Sequence, residues 1–220
     1  MDGRRWRVLL AVDFAIKVAT VLLLLVALSL PELPQFKGKA FAGRAIAYPI
    51  ALAIVPVVWL LLRRPIPYPV VPDILLGLPF LIDMAGNALG LYDSIEWWDD
   101  ANHLVNWWLH TTAIAILLAG TRLPRAARAG LGVAWAATTA ILWELAEYFA
   151  FVPGSPEAST AYADTLGDLA LGLLGGTVAS VLIAWRMPAR TAHELAERRS
   201  PSAAVRDRGS EPPAGVAGPG

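Results

Sequence analysis

Six apolar stretches, each long enough to cross a lipid bilayer as a helix, constrain this chain more than any other feature of its sequence. A bilayer core takes roughly 20 apolar residues in helical form. Backbone polar groups must be satisfied within the protein there, which favours helices. The sequence therefore predicts an all-α fold, a polytopic membrane helix bundle with six transmembrane helices. The spans cover about 8–30, 45–62, 70–91, 101–120, 129–152 and 163–185.

The end of the chain differs in composition from these spans. Pro, Gly, Ser and charged residues dominate after the sixth span, and such a segment cannot bury a core. We predict a transmembrane domain over residues 1–186 and a disordered cytoplasmic tail over residues 187–220. The first span also has features of a secretory signal, but the small-residue site at 40–42 lies too far beyond its apolar run. We therefore expect the span to be retained.

Basic residues indicate the orientation, because Lys and Arg close to spans stay on the cytoplasmic side. Arginines precede the first span, follow the second, fourth and sixth, and are absent from the third and fifth loops. The first loop, with Lys37, Lys39 and Arg44, is the exception. We expect both termini in the cytoplasm. Frequent Arg, Ala, Gly and Pro fit a GC-rich bacterial genome, so we expect a multi-pass protein of the bacterial plasma (inner) membrane.

Composition also excludes several classes of function. The sequence has no cysteine, which rules out disulfides, thiolate metal sites and cysteine nucleophiles. Basic patches with interleaved aromatic residues are absent, so nucleic acid is not an expected partner. The lipid bilayer is the expected partner, and the sequence identifies no protein partner.

Polar pairs lie near the outer ends of four spans. The members of each pair are three or four residues apart, which places them on one helix face. The expected topology brings all four pairs to the same depth, in one layer. The candidate site residues are Asp83, Asn87, Asp99, His103, Glu144, Glu147, Asp164 and Asp168. Asn106 and His110 continue the stripe of the fourth span inward, and Trp97, Trp98, Trp107 and Trp108 are expected to form an interfacial aromatic belt.

The acidic layer has no counter-charge within its own part of the sequence. Residues 65–121 and 129–185 contain six and five carboxylates, and neither block has a Lys or Arg. An intramembrane charge costs roughly 2.5 to 3.5 kcal/mol on the insertion scale. We therefore expect the layer to need a cation, shared protons or water. Carboxylates with one imidazole suit a divalent metal ion such as Mg, Mn, Ca or zinc.

Two further patterns have structural interpretations. Asp13 and Lys17, four residues apart in the first span, are expected to neutralise each other, and Asp73 is expected to favour the start of a helix. In the sixth span Gly172, Gly176 and Ser180 recur every four residues, which predicts close helix packing.

A resemblance rests on the second half of the chain. "WELAEY" at 143–148, "DTLGDLALGLLGG" at 164–176 and "DDANHL" at 99–104 resemble the YjdF-like family of bacterial inner-membrane proteins. The chain is more distantly similar to VanZ-like membrane proteins. Gly172 stands where the family pattern has Asn. The resemblance implies a membrane setting and the same acidic residues, but no reaction.

Three functions remain open from the sequence. An accessory or assembly protein would use the acidic layer for packing or for a partner. A metal-dependent enzyme would act on a lipid or envelope precursor. A proton-coupled transporter or proton relay would need polar residues that continue toward the cytoplasm. The sequence does not decide whether the protein is an enzyme.

Overall fold

A computed structural model describes residues 3–62, 67–150, 152 and 156–187 of the protein. These residues form seven α-helices, a short 3-10 turn and no β-strand, so the predicted all-α fold is confirmed for them. The helices are α1 (Gly3–Ser29), α2 (Phe41–Leu61), α3 (Val70–Ala88), α4 (Leu91–Ser94), α5 (Trp98–Ala119), α6 (Arg125–Ala150) and α7 (Ala161–Arg186). The 3-10 turn, Pro156–Ser159, precedes α7. Apart from Met187, the predicted tail lies outside the described residues.

Five of these helices, α1, α2, α3, α6 and α7, are long and apolar enough to cross a membrane. The fourth predicted span corresponds to α5, which has 22 residues but is more polar because of its Asn and His side chains. The packing of α5 explains this difference. It contacts α3, α6 and most extensively α7, and its Asn102, His103 and Thr111 are buried. Neighbouring helices therefore cover this polar face.

Small residues allow α5, α6 and α7 to approach closely. A Cβ atom on Gly175 would collide with the backbone carbonyl of Leu104 in α5. One on Gly176 would collide with Ala136 in α6, and Gly132 of α6 has a similar contact with Ser180. The predicted packing role of the small residues in α7 is thus confirmed, and it extends to Gly175.

Arg128 fastens the start of α6 to the end of α7. It is fully buried, at 1% exposure. Its Nη1 donates to the carbonyl oxygen of Met187 at 2.8 Å, and its Nη2 donates to that of Ala184 at 3.4 Å. The last carbonyls of a helix lack partners within the helix. Arg128 supplies hydrogen-bond donors to these carbonyls, at the end of the bundle opposite to the acidic layer.

Candidate functional site

The starts of α2, α5 and α7 and the ends of α3 and α6 meet at one end of the bundle, around a cavity of about 300 Å³. Most of the residues predicted as one layer line this cavity. They are Asp83, Asn87, Asp99, His103, Glu144, Glu147 and Asp164. The remaining one, Asp168, lies against His103. The structure therefore brings together residues that lie up to 85 positions apart in the sequence, from Asp83 to Asp168.

His103 lies at the centre of the acidic part of the cavity. Its Nε2 is 3.7 Å from Oδ1 of Asp99 and 3.7 Å from Oδ1 of Asp168. Its Nδ1 is 3.7 Å from Oε1 of Glu144. The possible ligand atoms form two sets that share His103, one with Asp99 and Asp168 and one with Glu144 and Glu147, each within 4.8 Å. Either set has donor types that could hold a metal ion.

Trp107 fixes the plane of the His103 ring. The two rings are stacked, with centroids 5.3 Å apart and planes 5° apart. The indole Nε1 of Trp107 donates to Oγ1 of Thr139 in α6 at 3.1 Å. Trp107 is 5% exposed, so its predicted place in an interfacial belt is wrong. Its position four residues after His103 puts it on the inner face of α5, whereas Trp108 is exposed.

Glu144 has an unsatisfied acceptor in this cluster. The residue is 8% exposed, and its Oε1 is buried without a hydrogen-bond partner among the described atoms. A buried acceptor without a donor costs roughly 1–3 kcal/mol. Such a cost is typical of a group that is satisfied by a ligand or by a change of protonation next to it.

Asp83 and Asn87 also line the cavity, and the Asp83 carboxylate is already satisfied by hydrogen bonds. Oδ2 of Asp83 accepts hydrogen bonds from the Tyr48 hydroxyl at 2.5 Å and from Nε of Arg44 at 3.1 Å. Oδ1 accepts from the Tyr92 hydroxyl at 3.0 Å and from Nδ2 of Asn87 at 3.1 Å. This pair lines the same cavity as His103, but it belongs to neither ligand set around that residue.

Burial, followed by the Asp83 carboxylate, raises the pKa of Tyr92 above the ordinary value for a tyrosine. Tyr92 therefore keeps its proton and remains a donor to Asp83. Sequence reasoning missed Arg44, Tyr48 and Tyr92 as residues of the cavity. The available signal was the exceptional first loop, whose basic residues contradict the positive-inside pattern.

The basic residues of that loop pair with carboxylates at the same end of the bundle. Besides Arg44, Lys39 binds Asp93 at 2.8 Å and Lys37 binds Glu32 at 3.2 Å. The prediction that the acidic layer has no internal counter-charge is therefore wrong for Asp83 and Asp93. It failed because the cations come from a distant part of the sequence.

A second polar cluster lies in the other half of the bundle. Nζ of Lys17 is 3.0 Å from Oδ2 of Asp13 and also contacts Asp73, which in addition accepts a hydrogen bond from Tyr68. Asp13 and Lys17 do pair, but Lys17 also joins α1 to α3. Asp73 thus has a partner in another helix and does more than favour the start of α3. Burial, and then the hydrogen bond to Asp73, raise the pKa of Tyr68.

Comparison with known proteins places the chain in a family. Residues 12–189 match the family model described as "Predicted membrane protein (DUF2238)". This region contains every residue that lines the cavity. No curated protein and no solved structure matches the chain. Because the family match covers most of its length, the chain belongs to the DUF2238 family of predicted membrane proteins.

Proposed function

We propose that the protein is a metal-dependent membrane enzyme that holds a divalent cation at His103 and acts on a lipid or envelope precursor. One observation carries this proposal. Carboxylates from the start of α5, the end of α6 and the start of α7 converge on a single imidazole beside an open cavity. Three helices therefore position the donor atoms.

The donor set favours a metal that accepts both nitrogen and oxygen. In a tetrahedral zinc site, bonds of about 2.0–2.1 Å place neighbouring ligand atoms roughly 3.4 Å apart. The His103 nitrogens are 3.7 Å from the carboxylate oxygens, so small movements of the side chains would complete such a site. Zn²⁺ and Mn²⁺ suit this set better than Ca²⁺ and Mg²⁺, which prefer oxygen ligands alone.

The cavity supports a reaction more than a packing role. A bound divalent metal would polarise a carbonyl or phosphoryl oxygen, or activate water at neutral pH. The cavity volume of about 300 Å³ is at the lower limit for small-molecule sites. An accessory protein that used these carboxylates only to lock helices together would have satisfied Glu144, whose Oε1 lacks a partner among the described atoms.

The proposal includes a topology. We propose that α5 crosses the membrane with the other five long helices, since its 22 residues span about 33 Å. Both termini would then lie in the cytoplasm of a bacterial cell, with the cavity on the outer face of the inner membrane. The YjdF-like and VanZ-like resemblances remain predictions and supply no reaction.

A proton relay is the second candidate, and His110 favours it. This residue lines the cavity, and its Nε2 lies 3.2 Å from the carbonyl oxygen of Leu76. Leu76 is three residues from Asp73, which belongs to the Lys17 cluster. His110 therefore contacts α3 at a position close in sequence to the Lys17 cluster. A relay predicts proton flux in proteoliposomes that carry a pH gradient, and His110→Phe should abolish this flux.

Metal titration of the purified protein tests the proposal. After treatment with a chelator, Zn²⁺ or Mn²⁺ should bind in calorimetry and raise the melting temperature. Free metal at 100 times Kd should contribute about 2.7 kcal/mol of stability. His103→Gln should abolish both effects, and Asp168→Asn should weaken both strongly. Binding should weaken in acid, because the ligands must lose their protons to hold metal.

Glu96→Gln provides the matched control, because Glu96 is an exposed carboxylate just before α5 that belongs to neither ligand set. This variant should bind metal as the wild type does. A wild-type protein that binds no divalent metal contradicts the proposal. So does metal binding that survives in His103→Gln.

A further inference from the structure

The two ring nitrogens of His103 face different carboxylates. Nε2 faces Asp99 and Asp168, whereas Nδ1 faces Glu144. A neutral imidazole carries one proton, so one nitrogen can bind metal while the other donates a hydrogen bond. The chemistry of the site depends on which nitrogen has which role.

We propose that Nε2 of His103, with Asp99 and Asp168, binds the metal, and that Glu144 is a positioning residue that accepts a hydrogen bond from Nδ1–H. This inference rests on the proposed metal site. Metal-binding histidines commonly donate their second nitrogen to a carboxylate, which fixes the tautomer and the ring orientation.

The unsatisfied oxygen of Glu144 supports this assignment. Its Oε1 is buried, lacks a hydrogen-bond partner among the described atoms and faces Nδ1 at 3.7 Å. Metal on Nε2 leaves the proton on Nδ1, and a movement of less than about 1 Å would form a hydrogen bond. Metal on Nδ1 would instead leave the proton on Nε2, facing Asp99 and Asp168.

Access to the cavity supports the same assignment. The Asp99 side chain is 46% exposed, whereas those of Glu144 and Asp168 are 9% and 4% exposed. Metal between Nε2, Asp99 and Asp168 would therefore have one ligand at the accessible side of the site. A metal that binds a substrate keeps one coordination position open. In this arrangement the open position could face the accessible side of the cavity, next to Asp99. Stacking on Trp107 opposes the rotation of the His103 ring that would exchange the positions of Nδ1 and Nε2.

Nitrogen NMR identifies the bound atom directly. The chain has three histidines, so ¹⁵N-histidine labelling gives few signals, and His103→Gln assigns those of His103. With ¹¹³Cd²⁺ as the probe, we expect cadmium coupling to Nε2 and a retained proton on Nδ1. Coupling to Nδ1 would overturn the assignment and leave the metal site intact. A wild-type protein without cadmium binding would overturn the metal site itself.

Conservative substitutions give an independent measurement of metal affinity. Glu144→Gln removes the negative charge but keeps an oxygen that can accept a hydrogen bond from Nδ1. We therefore expect metal affinity to fall by about 10- to 100-fold, as is typical of groups that orient a ligand. Asp168→Asn removes a ligand and should lower affinity by more than about 100-fold. Glu147→Gln tests the alternative ligand set, because Glu147 is a ligand only if the metal lies on the Nδ1 side. We expect its affinity loss to be smaller than that of Asp168→Asn. Equal losses in Glu144→Gln and Glu147→Gln, with binding kept in Asp168→Asn, would place the metal on the Nδ1 side.

Discussion

Nε of Arg44 at the start of α2 lies 3.1 Å from Oδ2 of Asp83 near the end of α3, and both side chains are largely buried. The pair joins two helices that otherwise have limited contact. Arg44 also donates to the carbonyl oxygen of Lys39, which holds the preceding loop against the helix. Asp83 is therefore a structural carboxylate beside the proposed metal site.

Removing one partner of this pair should destabilise the protein strongly. Arg44→Met leaves the Asp83 carboxylate buried without its cation, which typically costs about 3–5 kcal/mol. Thermal unfolding in detergent measures the effect. Lys37→Met is the control, because the Lys37–Glu32 pair is exposed and such pairs contribute about 0–1 kcal/mol. Similar melting temperatures for the two variants would contradict the structural role of Arg44.

The Arg44–Asp83 pair also shows what the sequence could predict. Helix spacing placed Asp83 near one end of its span, and charge counts marked Arg44 as an exception to the orientation rule. Neither signal joined them, because a pair 39 residues apart depends on how α2 packs against α3. Depth along a helix follows from sequence position, whereas contacts between helices depend on rotation and tilt. The common layer was therefore predictable, and the partner of Asp83 was not.

Lys17 should be as important for stability as Arg44, because it is the cation that α1 supplies to Asp13 and Asp73. Lys17→Met leaves two buried carboxylates close together, and we expect a loss of about 3–5 kcal/mol. Adding Asp13→Asn and Asp73→Asn removes those charges and should restore most of the melting temperature. A triple variant as unstable as Lys17→Met would show that the lysine stabilises the bundle by other contacts.

Trp107 should affect metal affinity without touching the metal. Its ring holds the His103 imidazole in place, so Trp107→Leu should lower the affinity for Zn²⁺ by about 10- to 100-fold, as expected for groups that orient a ligand. Calorimetry measures this change. Trp108→Leu, at the exposed neighbouring position, should leave affinity unchanged. Equal effects of the two substitutions would argue against ring orientation by Trp107.

Spacing on α5 contained the signal that separates the two tryptophans. Trp107 follows His103 by four residues and therefore lies on the same face of α5. Trp108 is one residue further along the helix and therefore points away from that face. Depth in the membrane alone predicts a belt, whereas rotation about the helix axis decides which tryptophan faces His103. A polar stripe on a central helix thus identifies its aromatic neighbours as well. The stripe does not identify the α6 residue, Thr139, that binds the indole.

The contact between α5 and α7 should tolerate no added methyl group at Gly175. Its Cβ would meet the carbonyl oxygen of Leu104, which cannot move without its helix. We expect Gly175→Ala to cost about 1–3 kcal/mol and to weaken metal binding by shifting His103 away from Asp168. Gly167→Ala on the same helix meets no atom within 4 Å and should be neutral or slightly stabilising. Wild-type stability and affinity in Gly175→Ala would contradict the close packing.

The proposed orientation can be tested by cysteine labelling, because the sequence has no cysteine of its own. Ala158 lies at the same end of the bundle as the cavity, and Ala126 lies near Arg128 at the opposite end; both are exposed. A membrane-impermeant maleimide should label Ala158→Cys in intact cells and Ala126→Cys only after lysis. The reason is that the arginines around the start of α6 should remain in the cytoplasm. The reverse pattern would contradict the proposed orientation and would open the cavity to the cytoplasm.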